Sequence, residues 1–252
     1  MVKNDTDLVR LSDIAQAVAL LTRLPVRVSD TARGGAAAWA YPIVGLIVGG
    51  IAALVGVMAH WSGLPDIAVA LLCLATLVIV TGALHEDGLA DTADGLWGGW
   101  TREKRLEIMK DSHIGTYGVL TLIVITVARW IALWLLFQTG IAAAVAALLA
   151  ACMLSRATMP SLMATLPHAR DTGLSHSVGS TSRASAAIAW AIALAAALLL
   201  TGGGAIWAAL WAGMICGAIA MIARRKIGGQ TGDILGATQQ ISEVVVLFSL
   251  LT

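Results

Sequence analysis

Three aspartates follow an apolar run at a spacing that places them on one face of a helix. Asp87, Asp91 and Asp94 lie four and three residues apart in the segment H-E-D-G-L-A-D-T-A-D-G. At about 100° per residue, they fall within roughly 60° of one another. Carboxylates this close repel one another unless a cation lies among them, and hard oxygen donors suit Mg²⁺. The spacing predicts a magnesium site for a phosphate-bearing substrate, with a solvated acidic loop as the alternative. Glycines that would let a ligand approach the backbone closely lie nearby: Gly88, Gly95, Gly98 and Gly99.

A second acidic motif, G-G-Q-T-G-D-I-L-G, opens the last apolar run, and Asp233, Gln240 and Glu243 within and after it share one broad helical face. An acid inside a membrane helix costs about 2.5–3.5 kcal/mol on insertion scales, so Glu243 should face the bundle interior with a partner. Arg156 or Arg129 is that partner in the structural interpretation, and substrate binding is the alternative.

Polar residues also lie between these motifs. Lys110, Asp111 and His113 form a dense polar run beside two glycines, which favours phosphate contact. The preceding basic residues, among them Lys104, fit the polar side of a membrane-surface helix. The later segment 167–179 is polar as well, and either closure over a substrate or an ordinary linker is consistent with it.

The elements that position these residues are membrane helices. The chain is 58% hydrophobic and only 12% charged, about half the charged fraction of a soluble domain. Apolar runs recur at the length of roughly 20 residues that crosses a bilayer. The sequence predicts an all-α, polytopic bundle of about seven spans, with an interfacial amphipathic helix within Leu8–Val26. The predicted spans are Trp39–Trp61, Ile67–Leu84, Tyr117–Phe137, Ile141–Thr158, Ala184–Thr201, Ala205–Ala223 and Ile234–Leu251.

Apart from Arg129 and Arg156, which lie inside predicted spans, the basic residues are confined to alternate connections. The opposite connections, 60–66, 138–140 and 202–204, contain no Lys or Arg. By the positive-inside rule, the N-terminus is cytoplasmic and the C-terminus external. We expect one membrane domain, 1–252, with a cytoplasmic or interfacial segment 1–38, a catalytic loop and helix 85–116 and a second active-site loop 224–233. The net charge of +1 gives no nucleic-acid footprint, and G-x-x-x-G motifs permit a homo-oligomer without requiring one.

H-E-D-G-L-A-D-T-A-D-G, followed by I-M-K-D-S-H-I-G-T-Y-G, resembles the cobalamin synthase family, the adenosylcobinamide-GDP ribazoletransferases. The resemblance covers nearly the whole chain. It includes L-T-R-L-P-V at 21–26, Y-P-I-V-G at 41–45, Ser155-Arg156, Ala169-Arg170 and the ending G-G-Q-T-G-D-I-L-G. One departure is His113, where the family more often has arginine.

The resemblance implies the last assembly step of coenzyme B12 in the prokaryotic cytoplasmic membrane. Adenosylcobinamide-GDP is joined to α-ribazole or its 5′-phosphate, and GMP is released in a Mg²⁺-dependent reaction. On this hypothesis Asp87, Asp91, Asp94 and Asp233 hold one or two Mg²⁺ ions, and His85 or an unligated carboxylate accepts the hydroxyl proton. The expected substrate and phosphate contacts are Arg102, Lys110, Asp111, His113, Arg156, Arg170, Gln230, Thr231 and Glu243.

Two other interpretations remain at this stage. D-G-x-A-D is similar to the D-G-x-x-A-R motif of CDP-alcohol phosphotransferases but lacks its arginine, and prenyl-diphosphate enzymes normally need adjacent aspartates. A cation-coupled transporter would also use membrane acids, although such sites usually lie near the bilayer midplane in repeated, broken helices. A scaffolding role does not explain the acidic stripe.

Overall fold

The computed structural model describes residues 8–28 and 33–251, and the described residues contain helices and no strand. The predicted segment 1–38 is therefore described only in part, because residues 1–7 and 29–32 lie outside these ranges. A 3₁₀ helix covers Gly34–Ala40. The α-helices are α1 (Ser12–Leu21), α2 (Tyr41–Trp61), α3 (Asp66–Thr81), α4 (Leu84–Gly98), α5 (Arg102–Ile108), α6 (Thr116–Thr139), α7 (Ile141–Thr165), α8 (Leu174–Val178), α9 (Arg183–Thr201), α10 (Gly204–Ile227) and α11 (Gly232–Ser249).

The predicted class, a polytopic helical bundle, is confirmed. Two of the seven predicted spans, Ile67–Leu84 and Ile234–Leu251, do not by themselves have the length and apolar composition of a membrane-crossing helix. Among the described residues, five helical segments are long and apolar enough to cross a membrane, and six if α3 and α4 count as one broken span. These five are Gly34–Trp61, Thr116–Thr139, Ile141–Thr165, Arg183–Thr201 and Gly204–Ile227.

The predicted second span ends early because the chain bends sharply. Gly82 and Ala83 both adopt left-handed backbone angles, with φ of 63° and 57°. This break turns α4 by 87° from α3. Alanine rarely adopts that conformation, so surrounding packing must enforce it. Because α4 carries four acids in 15 residues, we place it outside the membrane-spanning segments.

The predicted last span is also a helix, α11, but it is not among the segments apolar enough to cross. Its polar residues Gln239, Gln240 and Glu243 are buried because α11 packs against α4, α6, α7 and α10. Helix α11 is therefore surrounded by other helices of the bundle, which shield its polar residues.

The two G-x-x-x-G motifs differ in their packing. Gly45 and Gly49 of α2 lie against Cys152 of α7, so this motif brings two helices of the same chain together. A Cβ placed on Gly213 or Gly217 of α10 would instead meet open space, with no neighbouring heavy atom of the described residues within 4 Å. Among the described residues, only the first motif therefore forms a close contact between two helices.

Candidate active site

Helices α4 and α11 approach closely because glycines form their contact. A Cβ placed on Gly88 would lie 3.0 Å from the Cα of Asp233, and one on Gly236 would lie 3.1 Å from the backbone oxygen of His85. Larger residues at these two positions would separate the helices. Gly88, expected to admit a ligand, packs against α11 and also lines the cavity described below. Gly95 and Gly99, of which the same was expected, pack on α5 and Met109 directly after it.

This contact brings the two acidic motifs together. Asp87 and Asp233 line one cavity of about 200 Å³. Burial, together with the charges of Asp233 and Asp87, raises the pKa of Asp91 to about 7. Burial also raises the pKa of Asp233, against the opposing charge of Arg170. Three carboxylates from two separate motifs therefore interact through their charges at one end of the bundle.

Arg170 lies beside these acids because two loops are joined. The backbone of Gln230 donates to the carbonyl of Pro167 at 2.8 Å and accepts from the amide of Ala169 at 2.9 Å. Its side chain, 1% exposed, accepts a hydrogen bond from Ser175 at 2.5 Å. This pairing fixes segment 167–179 against the start of α11. The segment is thus part of the cavity wall, to which it contributes Leu174, Ser175 and Val178.

Arg170 itself donates from Nη2 to Asp233 Oδ2 at 3.1 Å. Thr231 donates to the same oxygen at 3.1 Å and also caps α11 by accepting from the amide of Ile234. Nη1 of Arg170 is buried and has no hydrogen-bond partner among the described residues. Arg170 therefore keeps an unused donor beside the acids. Gln230 and Thr231, predicted to bind phosphate, are placed to hold this arrangement.

His85 lines the same cavity and is 2% exposed. Burial and the nearby charge of Arg156 lower its pKa to about 3, so the imidazole is neutral at physiological pH. Nε2 is buried without a hydrogen-bond partner among the described residues. A neutral imidazole can accept a proton, although a pKa this low makes it a weak base.

Asp94, predicted to bind metal with the other aspartates, lies against the start of α6. Its two oxygens accept hydrogen bonds from the backbone amides of Gly115 and Gly118 at 2.7 and 2.9 Å. These amides belong to the start of α6, so Asp94 acts as a cap across two helices. Asp94 shares a helical face with Asp91, but both of its carboxylate oxygens accept hydrogen bonds from the start of α6.

Arg156 and Glu243, predicted to bind substrate, are buried inside the bundle instead. Each is at most 2% exposed. Glu243 accepts from Arg129 at 2.7 Å and lies 3.8 Å from Arg156. Arg129 also donates to Glu86 at 2.8 Å. This geometry supports the ion-pair interpretation. We call Glu86, Arg129, Arg156 and Glu243 the core network; Glu86 was missed, although it directly precedes Asp87.

The remaining predicted phosphate contacts lie away from the cavity. Arg102 donates to the carbonyls of Ile227 and Ala169 at 2.9 and 2.7 Å, which ties α5 to α10 and segment 167–179. Lys110, Asp111 and His113 are exposed. His113 bonds Asp111 at 2.7 Å, which lowers the pKa of Asp111 and raises that of His113. Asp111 and His113 line a separate, open pocket that also includes Asp94.

The carboxylates fit Mg²⁺ only together with ligands from elsewhere. No group of three or more His, Cys, Asp or Glu side chains in the described ranges is arranged to hold a metal ion. Mg²⁺ is commonly bound by one or two carboxylates, water and substrate phosphates rather than by a complete protein cage. Oxygen donors that repel one another beside a cavity match this second pattern.

The chain is similar to known proteins over nearly its whole length. The family model described as cobalamin-5-phosphate synthase matches residues 13–251. The chain belongs to the cobalamin-5-phosphate synthase family. A relative from Bradyrhizobium diazoefficiens, named adenosylcobinamide-GDP ribazoletransferase, is 47% identical over 241 residues, 94% of this chain and 92% of the relative.

Two further relatives carry the same name. The protein from Mesorhizobium japonicum is 45% identical over 94% of this chain and 92% of its own length. That from Azorhizobium caulinodans is 40% identical over 96% of both chains. No solved structure matches this member of the cobalamin-5-phosphate synthase family. The resemblance inferred from the sequence motifs is therefore confirmed.

Proposed function

We propose that this protein is an adenosylcobinamide-GDP ribazoletransferase, which joins the cobinamide phosphate of adenosylcobinamide-GDP to α-ribazole or its 5′-phosphate and releases GMP. The observation that carries this proposal is the 47% identity to a relative of that name across 94% of the chain. The cavity supports it, because Asp87, Asp233 and Arg170 meet there.

The reaction is a phosphoryl transfer. A ribose hydroxyl attacks the cobinamide-linked phosphorus and forms a new P–O bond. The bond from that phosphorus to the bridging oxygen of the diphosphate breaks, and GMP leaves with that oxygen. The hydroxyl proton passes to a base, for which His85 and a cavity carboxylate are the candidates. Such transfers depend mainly on positioning and on neutralising charge.

Arg170 is the residue best placed to neutralise that charge. It lies beside Asp233 with one buried donor unused, and a guanidinium can bind two phosphate oxygens at once. Asp87, Asp91 and Asp233 would hold Mg²⁺ on the diphosphate. When bound, the metal supplies stabilisation of negative charge on the transferred group and on the leaving oxygen.

The test is GMP release by purified, detergent-solubilised protein supplied with adenosylcobinamide-GDP and α-ribazole, with Mg²⁺ or with EDTA. We expect GMP and cobalamin to appear in equal amounts with Mg²⁺ and neither with EDTA. Absence of GMP release from folded protein across several lipids and nucleosides would contradict the activity. Full release in EDTA would contradict only the metal requirement.

We also propose that the cavity opens to the cytoplasm of a prokaryotic cell, with the N-terminus on the same side, the C-terminus outside and the protein in the cytoplasmic membrane. This orientation requires the shorter or more polar helices α3 and α11 to cross the membrane within the bundle. The basic connections support this orientation. Three of them contact one another, since Arg102 of α5 reaches both Ile227 and Ala169. A cysteine introduced at Ser112 should react with a membrane-impermeant maleimide only from the cytoplasmic side, and one at Gly203 only from outside.

The other two candidates are not favoured. The relatives carry the name of a transferase, so neither a different membrane phosphotransferase nor a cation-coupled transporter has comparable support. An oligomer of this chain remains a prediction, since the outward glycines of α10 permit it without indicating a partner.

A further inference from the structure

The cavity beside the acids has a second, apolar part that phosphate chemistry does not use. Its polar residues come mainly from α4, α11 and segment 167–179. The elements that carry the acids also contribute apolar residues to the lining: Leu84, Leu174, Val178 and Leu235. The rest of the apolar lining, here called the apolar wall, comes from other elements: Leu20 and Leu21 of α1, Tyr41 of α2, and Met159 and Met163 of α7. The wall therefore joins a small helix near the N-terminus to the centre of the bundle.

The side chains of the apolar wall are held in place by packing. Leu21, Tyr41, Met159 and Met163 are each at most 5% exposed, so their side chains are held in place by the bundle around them. An apolar cavity next to charged residues typically binds a molecule with one apolar end and one polar end. The polar end belongs beside Asp87, Asp233 and Arg170, and an apolar group belongs against the wall.

The proposed reaction brings three large groups near the diphosphate: the corrinoid, guanosine and the accepting nucleoside. The corrin ring with its side chains is far larger than a cavity of about 200 Å³. Guanine carries several donors and acceptors along its edge, and burying them against leucine and methionine without partners costs free energy. The base of α-ribazole is a fused aromatic ring pair whose only polar atoms are ring nitrogens. It is the group that fits.

Resting on the proposed function, we propose that the apolar wall formed by α1, α2 and α7 is the binding site for the heteroaromatic base of the accepting nucleoside. An apolar cavity of about 150 Å³ is enough to bind benzene, so the volume here suits a somewhat larger fused ring. With the base against the wall, the attached ribose lies towards the acids, where its hydroxyl must react.

The two methionines indicate how selective this site is. Methionine side chains are unbranched and polarisable, so they adapt to aromatic rings of different outline. The site should accept apolar bases that differ by small substituents and disfavour bases with polar edges. Wild-type protein should therefore bind α-ribazole at least tenfold more tightly than the matching α-nucleoside of adenine.

The test compares Met163→Ala with Met153→Ala. Both methionines lie on α7 and are 2% exposed, but only Met163 lines the cavity. We expect Met163→Ala to weaken binding of radiolabelled α-ribazole about tenfold, measured by equilibrium dialysis in EDTA without the second substrate. The KM for adenosylcobinamide-GDP should not change, and Met153→Ala should leave both values at wild type.

Dialysis without turnover separates this proposal from the proposed function. If wild-type protein forms cobalamin but Met163→Ala binds α-ribazole normally, the base site is wrong and the transferase stands. A raised KM for adenosylcobinamide-GDP alone would place the cobinamide part at the wall and also overturn the proposal. If Met163→Ala does not fold, Leu20→Ala, at a half-buried position of the same wall, should give the same loss of α-ribazole binding.

Discussion

Glu86 and Asp87 are neighbours in the chain, yet they belong to two regions with opposite electrostatics. Glu86 points into the core network, where two arginines face two glutamates and the formal charges cancel. Asp87 lines the cavity together with Asp233 and Arg170. Asp91 is not part of the lining, but its charge interacts with those of Asp87 and Asp233.

This difference suggests that the core network stabilises the fold and that the cavity carries the chemistry. A buried charge is tolerated when a partner compensates it, and the core network satisfies that requirement within the protein. The acids at the cavity are not compensated in this way: burial, together with the charges of Asp233 and Asp87, raises the pKa of Asp91 to about 7. Excess negative charge beside an open cavity is expected where a cation and a phosphate bind only during function.

The largest effect should come from unpairing the core network. Arg129→Met leaves Glu86 and Glu243 buried without their partner, and breaking a buried pair costs about 3–5 kcal/mol. We expect a large fall in Tm in detergent, with turnover lost in proportion to folded protein. Lys104→Met is the control: its pair with Glu107 is exposed, so its loss should cost about 1 kcal/mol or less. Equal Tm values for the two variants would contradict the assignment of the network as structural.

Removing the arginine of the cavity should lower activity and leave stability nearly unchanged, the opposite of the result for Arg129→Met. Arg170→Met should lower kcat/KM about 10²-fold, the size seen when one charge-stabilising donor is lost, with only a small change in Tm because Arg170 is partly exposed. Lys110→Met, at an exposed site away from the cavity, should retain wild-type kcat/KM. If Lys110→Met were the impaired variant, the phosphate would lie on the surface rather than in the cavity.

A substitution of Asp94 tests whether this residue of α4 stabilises the fold or takes part in the reaction. Asp94→Asn weakens the cap on α6 and should lower the free energy of unfolding by about 1–2 kcal/mol. Turnover per folded molecule should stay near wild type, as measured by GMP release normalised to the folded fraction. A loss of turnover of a hundredfold without loss of stability would return Asp94 to the metal site.

The smallest expected effect is a pH dependence of Tm that comes from Asp91, beside the cavity. A carboxyl group whose pKa is raised in the folded state gives stability at low pH that is lost as pH rises through the folded pKa. In EDTA, the Tm of wild-type protein should therefore fall between pH 5 and pH 8, across the value of about 7 for Asp91. Asp91→Asn should remove much of that fall and be the more stable protein at pH 8. An unchanged pH profile would show that Asp91 is not under repulsion.

Much of this arrangement could be predicted from the sequence, because hydropathy and helical spacing report on single helices. They identified the bundle, both acidic motifs and the alternatives for Glu243. Spacing alone placed Asp94 with Asp87 and Asp91, since it cannot show that α6 begins against that carboxylate. Likewise, a glycine at position 88 is equally consistent with room for a ligand and with room for a helix.

Contacts between distant segments account for what the sequence could not show. The pairing of Gln230 with Pro167 and Ala169, which carries Arg170 to Asp233, joins segments more than 60 residues apart. The apolar wall combines α1 with α7, and its leucines and methionines look like any other membrane-protein core residues. The bend at Gly82 and Ala83 carried no strong signal either, since alanine seldom adopts a left-handed conformation.

The central claim is that the cavity acids, and not the core network, carry out the transfer. Its most direct test is cobalamin formation by the double variant Asp87→Asn, Asp91→Asn, compared with wild type at equal amounts of folded protein and saturating Mg²⁺. We predict turnover reduced by at least about 10³-fold with an unchanged or higher Tm in EDTA. A folded double variant that keeps full turnover would contradict the claim.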